Sequence, residues 1–235
     1  MKKHNRVFIR RPHGFTLVEI MVALLIGMVL LAGISQLLIG NQKTYRFQNN
    51  LSRLQENGRY ALEMLSRNLR MAGFRSYPNT PLSNGLTGVE SGTLDEIIIR
   101  YQSATDCLGN NIQGALPVAN NRFSIANSSG IPNLFCSGNG GGSSAQPLIE
   151  GVESMDILYG EDTNAIKDGV VNQYVPADAV TNWADVISVR IQLVLFSIDD
   201  NLSDVIANGD RRIRRTFTTT VTLRNSDVNI AELLL

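Results

Sequence analysis

Apolar side chains change their spacing twice along this chain, and each change marks a new element. Between Phe15 and Ile39 the only clearly polar residues are Thr16, Glu19, Ser35 and Gln36. As a helix rising ~1.5 Å per residue, the run covers roughly 37 Å, more than the ~30 Å hydrocarbon core of a bilayer. Further on the pattern becomes amphipathic. Leu51, Leu54, Gly58, Ala61, Leu62, Leu65, Leu69 and Ala72 recur at steps of three and four, which is one helix face. Arg53, Glu56, Arg59, Glu63, Arg67 and Arg70 take the opposite, solvated face, where Glu56 with Arg59 and Glu63 with Arg67 have the spacing of ion pairs. No proline interrupts residues 15 to 77, and Gly73 ahead of Pro78 and Pro81 predicts the stop. The expectation is one helix of about sixty residues, roughly 90 Å long.

Beyond Pro81 the period falls to two. "DEIIIRY" at 95 to 101 predicts a strand, with weaker ones at 121 to 126 and around Met155 to Tyr159. In Val186 to Ile198, Ile187, Val189, Ile191, Leu193 and Leu195 share one face. In Arg215 to Arg224, Phe217, Thr219, Val221 and Leu223 alternate with Thr216, Thr218, Thr220 and Thr222, and the last two strands can pair as an antiparallel hairpin across 199 to 210. The fold class expected is α+β: a twisted antiparallel sheet laid on the apolar face of the long helix.

Charge sharpens this division. The chain has 21 basic and 21 acidic residues, but Lys2, Lys3, Arg6, Arg10 and Arg11 all precede Gly14 without an acid among them. The remainder carries a formal net of 16 − 21 = −5 and offers no broad basic surface for nucleic acid. Both histidines, His4 and His13, also precede Gly14. A protein without that segment has no histidine, which excludes Ser/His/Asp triads, Cys/His pairs and the usual His-containing zinc sites.

Basic residues before the apolar run place the N-terminus in the cytoplasm and the body outside. No small-residue cleavage site ends the apolar run, so an ordinary secretory signal does not fit. The processing-like junction lies on the other side, between Gly14 and Phe15. Glu19 also needs a reason, because a charge at the hydrocarbon centre costs ~2.5–3.5 kcal/mol on insertion scales. This arrangement, a basic leader ending in Gly14 and then Phe15, Thr16, Leu17, Val18 and Glu19, resembles the class III signal of type IV pilins and type II secretion pseudopilins. The resemblance implies that a prepilin peptidase cuts after Gly14 and methylates Phe15. It also implies that the stem packs inside a filament, with Glu19 neutralised by the terminal amine of a neighbouring subunit.

"RLQENGRYALEMLSRNLRMAGF" at 53 to 74 narrows the match, since it is similar to the helix close of the PilW family of minor pilins. "DCLG" at 106 to 109, "PLIEGVESMDILYG" at 147 to 160 and "TTTVTLRN" at 218 to 225 continue it. The domains expected are a cleaved leader 1–14, a transmembrane or filament-core helix 15–39, the amphipathic half of the same helix 40–75, and a periplasmic head 76–235. The function implied is a low-abundance pilin, at or near the pilus tip, that helps prime polymerisation. Implied partners are other minor pilins, the major pilin, a tip-associated adhesin, the inner-membrane assembly platform and the prepilin peptidase. A J-type minor pseudopilin of a type II secretion system is the alternative, and residues 53 to 74 favour the pilus. Major pilins often carry a proline in the stem; its absence here points away from the bulk subunit. Gly27, Gly33 and Gly40 either let stems approach closely or are ordinary membrane-helix glycines.

The other candidates are weaker. Cys107 and Cys136 lie in loop-like surroundings of an exported body, where an oxidising compartment predicts a disulfide. "SGNGGGSS" at 137 to 144 lacks the Lys-Ser/Thr of a phosphate-binding loop and is read as a flexible loop. "EDTNAIKDG" at 161 to 169 and "DDNLSD" at 199 to 204 offer oxygen ligands but miss calcium-loop spacing, Ile166 standing at a ligand position. No metal or other cofactor is expected. Trp183 is read as core or subunit contact. A membrane-tethered periplasmic enzyme is the distant alternative: no nucleophile elbow or paired-carboxylate motif is present, although Asp156, Glu161 and Asp162 are scattered acids that a fold can bring together.

Overall fold

The computed structural model describes residues 14–76, 82–142, 144–202 and 209–225. Contacts divide the chain into two compact units, Met1–Phe47 and Gln48–Leu235.

In the first unit the described residues are the start of one helix, α1, Leu17–Met71. Thr16 caps it, its Oγ1 accepting the Glu19 amide at 3.2 Å. The apolar side chains from Phe15 to Ile39 face outward, and α1 is long and apolar enough to cross a membrane.

In the second unit the same helix becomes one-sided, as its spacing predicts. Leu54, Gly58, Ala61, Leu65 and Leu69 are buried. Glu56 and Arg59 meet on the exposed face at 3.0 Å, an ion pair worth tenths of a kcal/mol. Glu63 and Arg67 have suitable spacing but form no ion pair among the described residues. Gly73, at φ +75°, ends the helix in the left-handed conformation that a C-terminal glycine supplies. Its last carbonyls are not left bare: the Asn225 amide donates to Arg70 and Ala72, at 3.4 and 3.3 Å.

Nine strands follow among the described residues, and they form two antiparallel sheets where one was expected. The first contains β1 Leu86–Val89, β2 Glu96–Gln102, β3 Val118–Ser128, β4 Ile131–Ser137 and β5 Gln146–Glu150, in that order. The second contains β6 Val152–Glu161, β7 Gln173–Val175, β8 Val186–Phe196 and β9 Arg214–Thr222, ordered β7-β6-β8-β9. The chain changes sheet at Gly151, whose amide bonds the Asn133 side chain while its carbonyl accepts from Phe196. Backbone bonds between Thr93, Asp95 and Met155 stitch the sheets together. One core runs through helix and sheets, with Leu65, Leu69, Ile97, Ile99, Phe123, Leu134, Met155, Ile157, Ile191, Leu193 and Leu195 all fully buried. The β8–β9 hairpin pairs Ser188 with Thr222 through to Phe196 with Arg214, without a register shift.

Candidate functional site

The residues expected to carry processing and assembly lie at the start of the stem. Gly14 and Phe15 precede the helix in irregular, exposed backbone, with Phe15 79% exposed. Glu19 falls on the third helical residue, where a carboxylate meets the positive end of the helix dipole. Thr16-x-x-Glu19 also has the spacing of a capping box, and the half of it in which the Glu19 amide donates to the Thr16 hydroxyl is formed. No cation lies within salt-bridge distance of the Glu19 carboxylate among the described residues.

In the head, Cys107 and Cys136 form a disulfide with their Cα atoms 6.6 Å apart. Cys136 lies on β4, delivered by a two-residue turn in which Ser129 and Gly130 both have positive φ. Cys107 belongs to a loop built around Asp106. One carboxylate oxygen of Asp106 accepts the amides of Leu108 and Asn110, each at 2.9 Å, and the other accepts Gly140 at 2.9 Å. Burial pushes the Asp106 carboxyl up, but the bonds from Gly140, Asn110 and Leu108 outweigh it and hold it below its ordinary value. The glycine-rich stretch is thus not simply a flexible loop: Gly138 and Gly140 pack on Asp106, with no room for a side chain at either. The Gly140 amide is spent on that internal carboxylate and the Gly141 amide on the Asn111 carbonyl. From the other side the Cys107 amide donates to Asn121 Oδ1 at 2.9 Å, and Asn121 in turn bonds the Tyr101 hydroxyl, which donates to Asn68 of α1. The stapled loop is tied to the helix through this chain of polar groups.

Two of the three scattered acids are engaged in internal hydrogen bonds. Glu161 is buried, and its carboxylate accepts from Thr181, Asn182 and Gln173. Burial raises its pKa, and those bonds overcome the rise and leave it lowered. Asp162 accepts from the Asn164 and Gly169 amides, and the Lys167 ammonium donates to its carbonyl while pairing with Asp185 at 3.0 Å. The 161–169 loop therefore holds its own internal cation. Asp156 stands apart on the exposed face of β6. In the other polar loop, Asp199 accepts from Asn50 of α1 and Asp200 accepts the Asn201 and Arg211 amides, whereas Ser203 and Asp204 lie outside the described residues. No group of three metal-ligating side chains occurs among the described residues. Trp183 is half-buried, edge-on to Tyr159 with centroids 4.8 Å apart, and borders a cleft of about 280 Å³ beside the end of α1.

Two family models match the chain. The model for type IV pilus-assembly protein W matches residues 122–225, and the prokaryotic N-terminal methylation motif matches residues 9–35. No curated protein matches. Among solved structures, a type IV-like pilin from Thermus thermophilus is 16% identical over 74% of this chain and 98% of that one, with a TM-score of 0.43. A chain of the GspK-GspI-GspJ complex from the type 2 secretion system of enterotoxigenic Escherichia coli is 12% identical over 72% and 96%, with a TM-score of 0.32.

Proposed function

We propose that this PilW-type, pilin-like chain is a minor pilin of the type IV pilus, placed at or near the tip, where it joins other minor pilins to prime polymerisation. One observation carries the reading: a PilW match on the head shares the chain with a methylation motif on an uncovered apolar stem. The role is structural rather than catalytic, and the chemistry is that of assembly.

In this reading the prepilin peptidase cuts between Gly14 and Phe15, leaving the 15–39 segment as anchor and later as filament core. Before assembly the helix holds the head on the periplasmic side of the inner membrane; afterwards the protein belongs to the cell-surface pilus. The exposed stem side chains lose little by leaving lipid, since neighbouring stems are equally apolar, so packing and polar pairing must set the axial position. Glu19 supplies that pairing. Its carboxylate takes the methylated amine of the adjoining subunit, which neutralises the charge and fixes one register. The major pilin, a tip-associated adhesin and the assembly platform are the further partners.

The test is the amount of sheared surface pilin in a deletion strain, with and without a block on retraction, alongside export of a type II secretion substrate. Lost pili that partly return when retraction is blocked, with secretion intact, support the priming role. Normal pili with failed secretion overturn it in favour of a J-type pseudopilin. Glu19→Ala is expected to leave membrane insertion intact and to lower filament incorporation at least tenfold; unchanged incorporation refutes the pairing role.

A further inference from the structure

The second sheet ends in β9, whose outer edge carries no pairing strand among the described residues. Which groups face that edge follows from the ladder. The Leu223 amide donates to the Ile187 carbonyl, so residues 223, 221, 219, 217 and 215 point their backbone polar groups at β8. Arg214, Thr216, Thr218, Thr220 and Thr222 therefore aim theirs outward. Natural edges of this length are blunted by proline, lysine, bulges or short strands. β9 has nine residues, contains neither proline nor lysine, and keeps its register throughout. Its four outward threonines are exposed and β-branched, which suits an added strand.

Charge states what the added strand must be. Arg214 is already neutralised by Glu153 and Asp210, at 2.8 and 2.7 Å. Arg211 and Arg215 at one end and Arg224 at the other are exposed and have no carboxylate within salt-bridge distance among the described residues. A second copy is a poor complement. Antiparallel self-pairing centred on Thr218, which matches all five outward residues, brings the end of one copy that carries Arg211 and Arg215 beside the end of the other that carries Arg224. Among the described residues the other sheet edges, β1, β5 and β7, have only three to five residues, and β5 contains Pro147.

We propose that the edge of β9 captures a β-strand from a different protein, an extended segment of about nine residues with carboxylates at its ends. That the donor is another component of the pilus rests on the reading above; the edge chemistry stands without it.

The experiment follows amide hydrogen exchange in the full chain held in detergent micelles. The probe is a nine-residue peptide of alternating valine and threonine with glutamate at both ends; its control has lysine at both ends. Expected are fast exchange at Thr216, Thr218, Thr220 and Thr222 in the free protein and at least tenfold slowing with the glutamate peptide alone. Thr218→Pro removes an outward N–H and no β8 bond, so it should abolish that slowing while Phe217, Thr219 and Val221 stay protected. Protection without peptide, equal protection by both peptides, or none by either overturns the proposal, and these arms do not depend on the variant. Peptide capture in a protein whose deletion leaves pili normal would remove the pilus reading and leave the edge assignment intact.

Discussion

Replacing both half-cystines by alanine, Cys107→Ala with Cys136→Ala, isolates what the staple contributes. Alanine is the right substitute because Cys136 is fully buried and a serine there would bury a new hydroxyl. The bridge spans 29 residues. On the chain-entropy relation, a loop of this length removes ~12 cal/mol/K from the unfolded ensemble, or about 3.6 kcal/mol at 25 °C. For a head of this size each kcal/mol moves the midpoint by ~2–4 °C, so the variant should melt roughly 7–14 °C lower. The Asp106 bonds do not cancel this loss, because they exist only in the folded loop and leave the unfolded chain unconstrained. Calorimetry of the oxidised protein, the reduced protein and the double variant in the same detergent measures it, with thiol labelling after denaturation reporting the redox state. Reduced protein and double variant should coincide, to within the small cost of two lost sulfurs. A shift below ~2 °C on complete reduction would refute the entropic account, and two labelled thiols in unreduced protein would refute the bridge itself.

The remaining predictions concern packing and pH. Gly58 faces the Phe217 ring so closely that any Cβ displaces it. Gly58→Leu should therefore cost ~1–3 kcal/mol by denaturant titration, and Phe217→Ala should recover part of that in a double-mutant cycle; additive losses would place the two residues apart. Leu65→Ala, in the fully buried helix face, should cost ~2–5 kcal/mol, and a loss under ~1 would mean that the helix is not seated on the sheets. Asp106 and Glu161 have folded pKa values below their ordinary 3.8 and 4.5. Their stabilisation is present above those ordinary values and is lost as pH falls through the lowered ones, so urea stability should drop below about pH 4.5. Asp106→Asn should lower stability at neutral pH and flatten that drop; an unchanged acid limb would show that Asp106 does not govern it.

What the sequence displays and what it hides divide along physical lines. The long helix is legible because its signal is local: Leu54, Gly58, Ala61, Leu65 and Leu69 repeat within one turn of each other, and Gly73 stops the helix by its own backbone freedom. β2, β8 and β9 are legible for the same reason: Ile97 and Ile99, then Val189, Ile191, Leu193 and Leu195, then Phe217, Thr219 and Val221 recur every second residue on the better-buried side. β4 is not, because a register shift between Leu134 and Phe135 breaks its alternation, although the Ser-Gly turn before it was a usable signal. The antiparallel head on the helix is as expected, and its division into two sheets is what the sequence hides. Alternation marks a strand only around Met155 to Tyr159, and it is Asn133 and Phe196, both far along the chain, that bond Gly151 at the turn sending β5 and β6 to different sheets. The acids follow the same rule: Asp106 is tied to Gly140 and Glu161 to Thr181, partners supplied by other loops. Glu19 is the converse case. Its capping bond comes from Thr16, three residues away, whereas the cation its charge demands does not come from the described part of its own chain. A carboxylate in an apolar stem on those terms is what the proposed pairing with a second chain accounts for, and so the one acid that looks misplaced in the sequence is where the assembly reading is tested first.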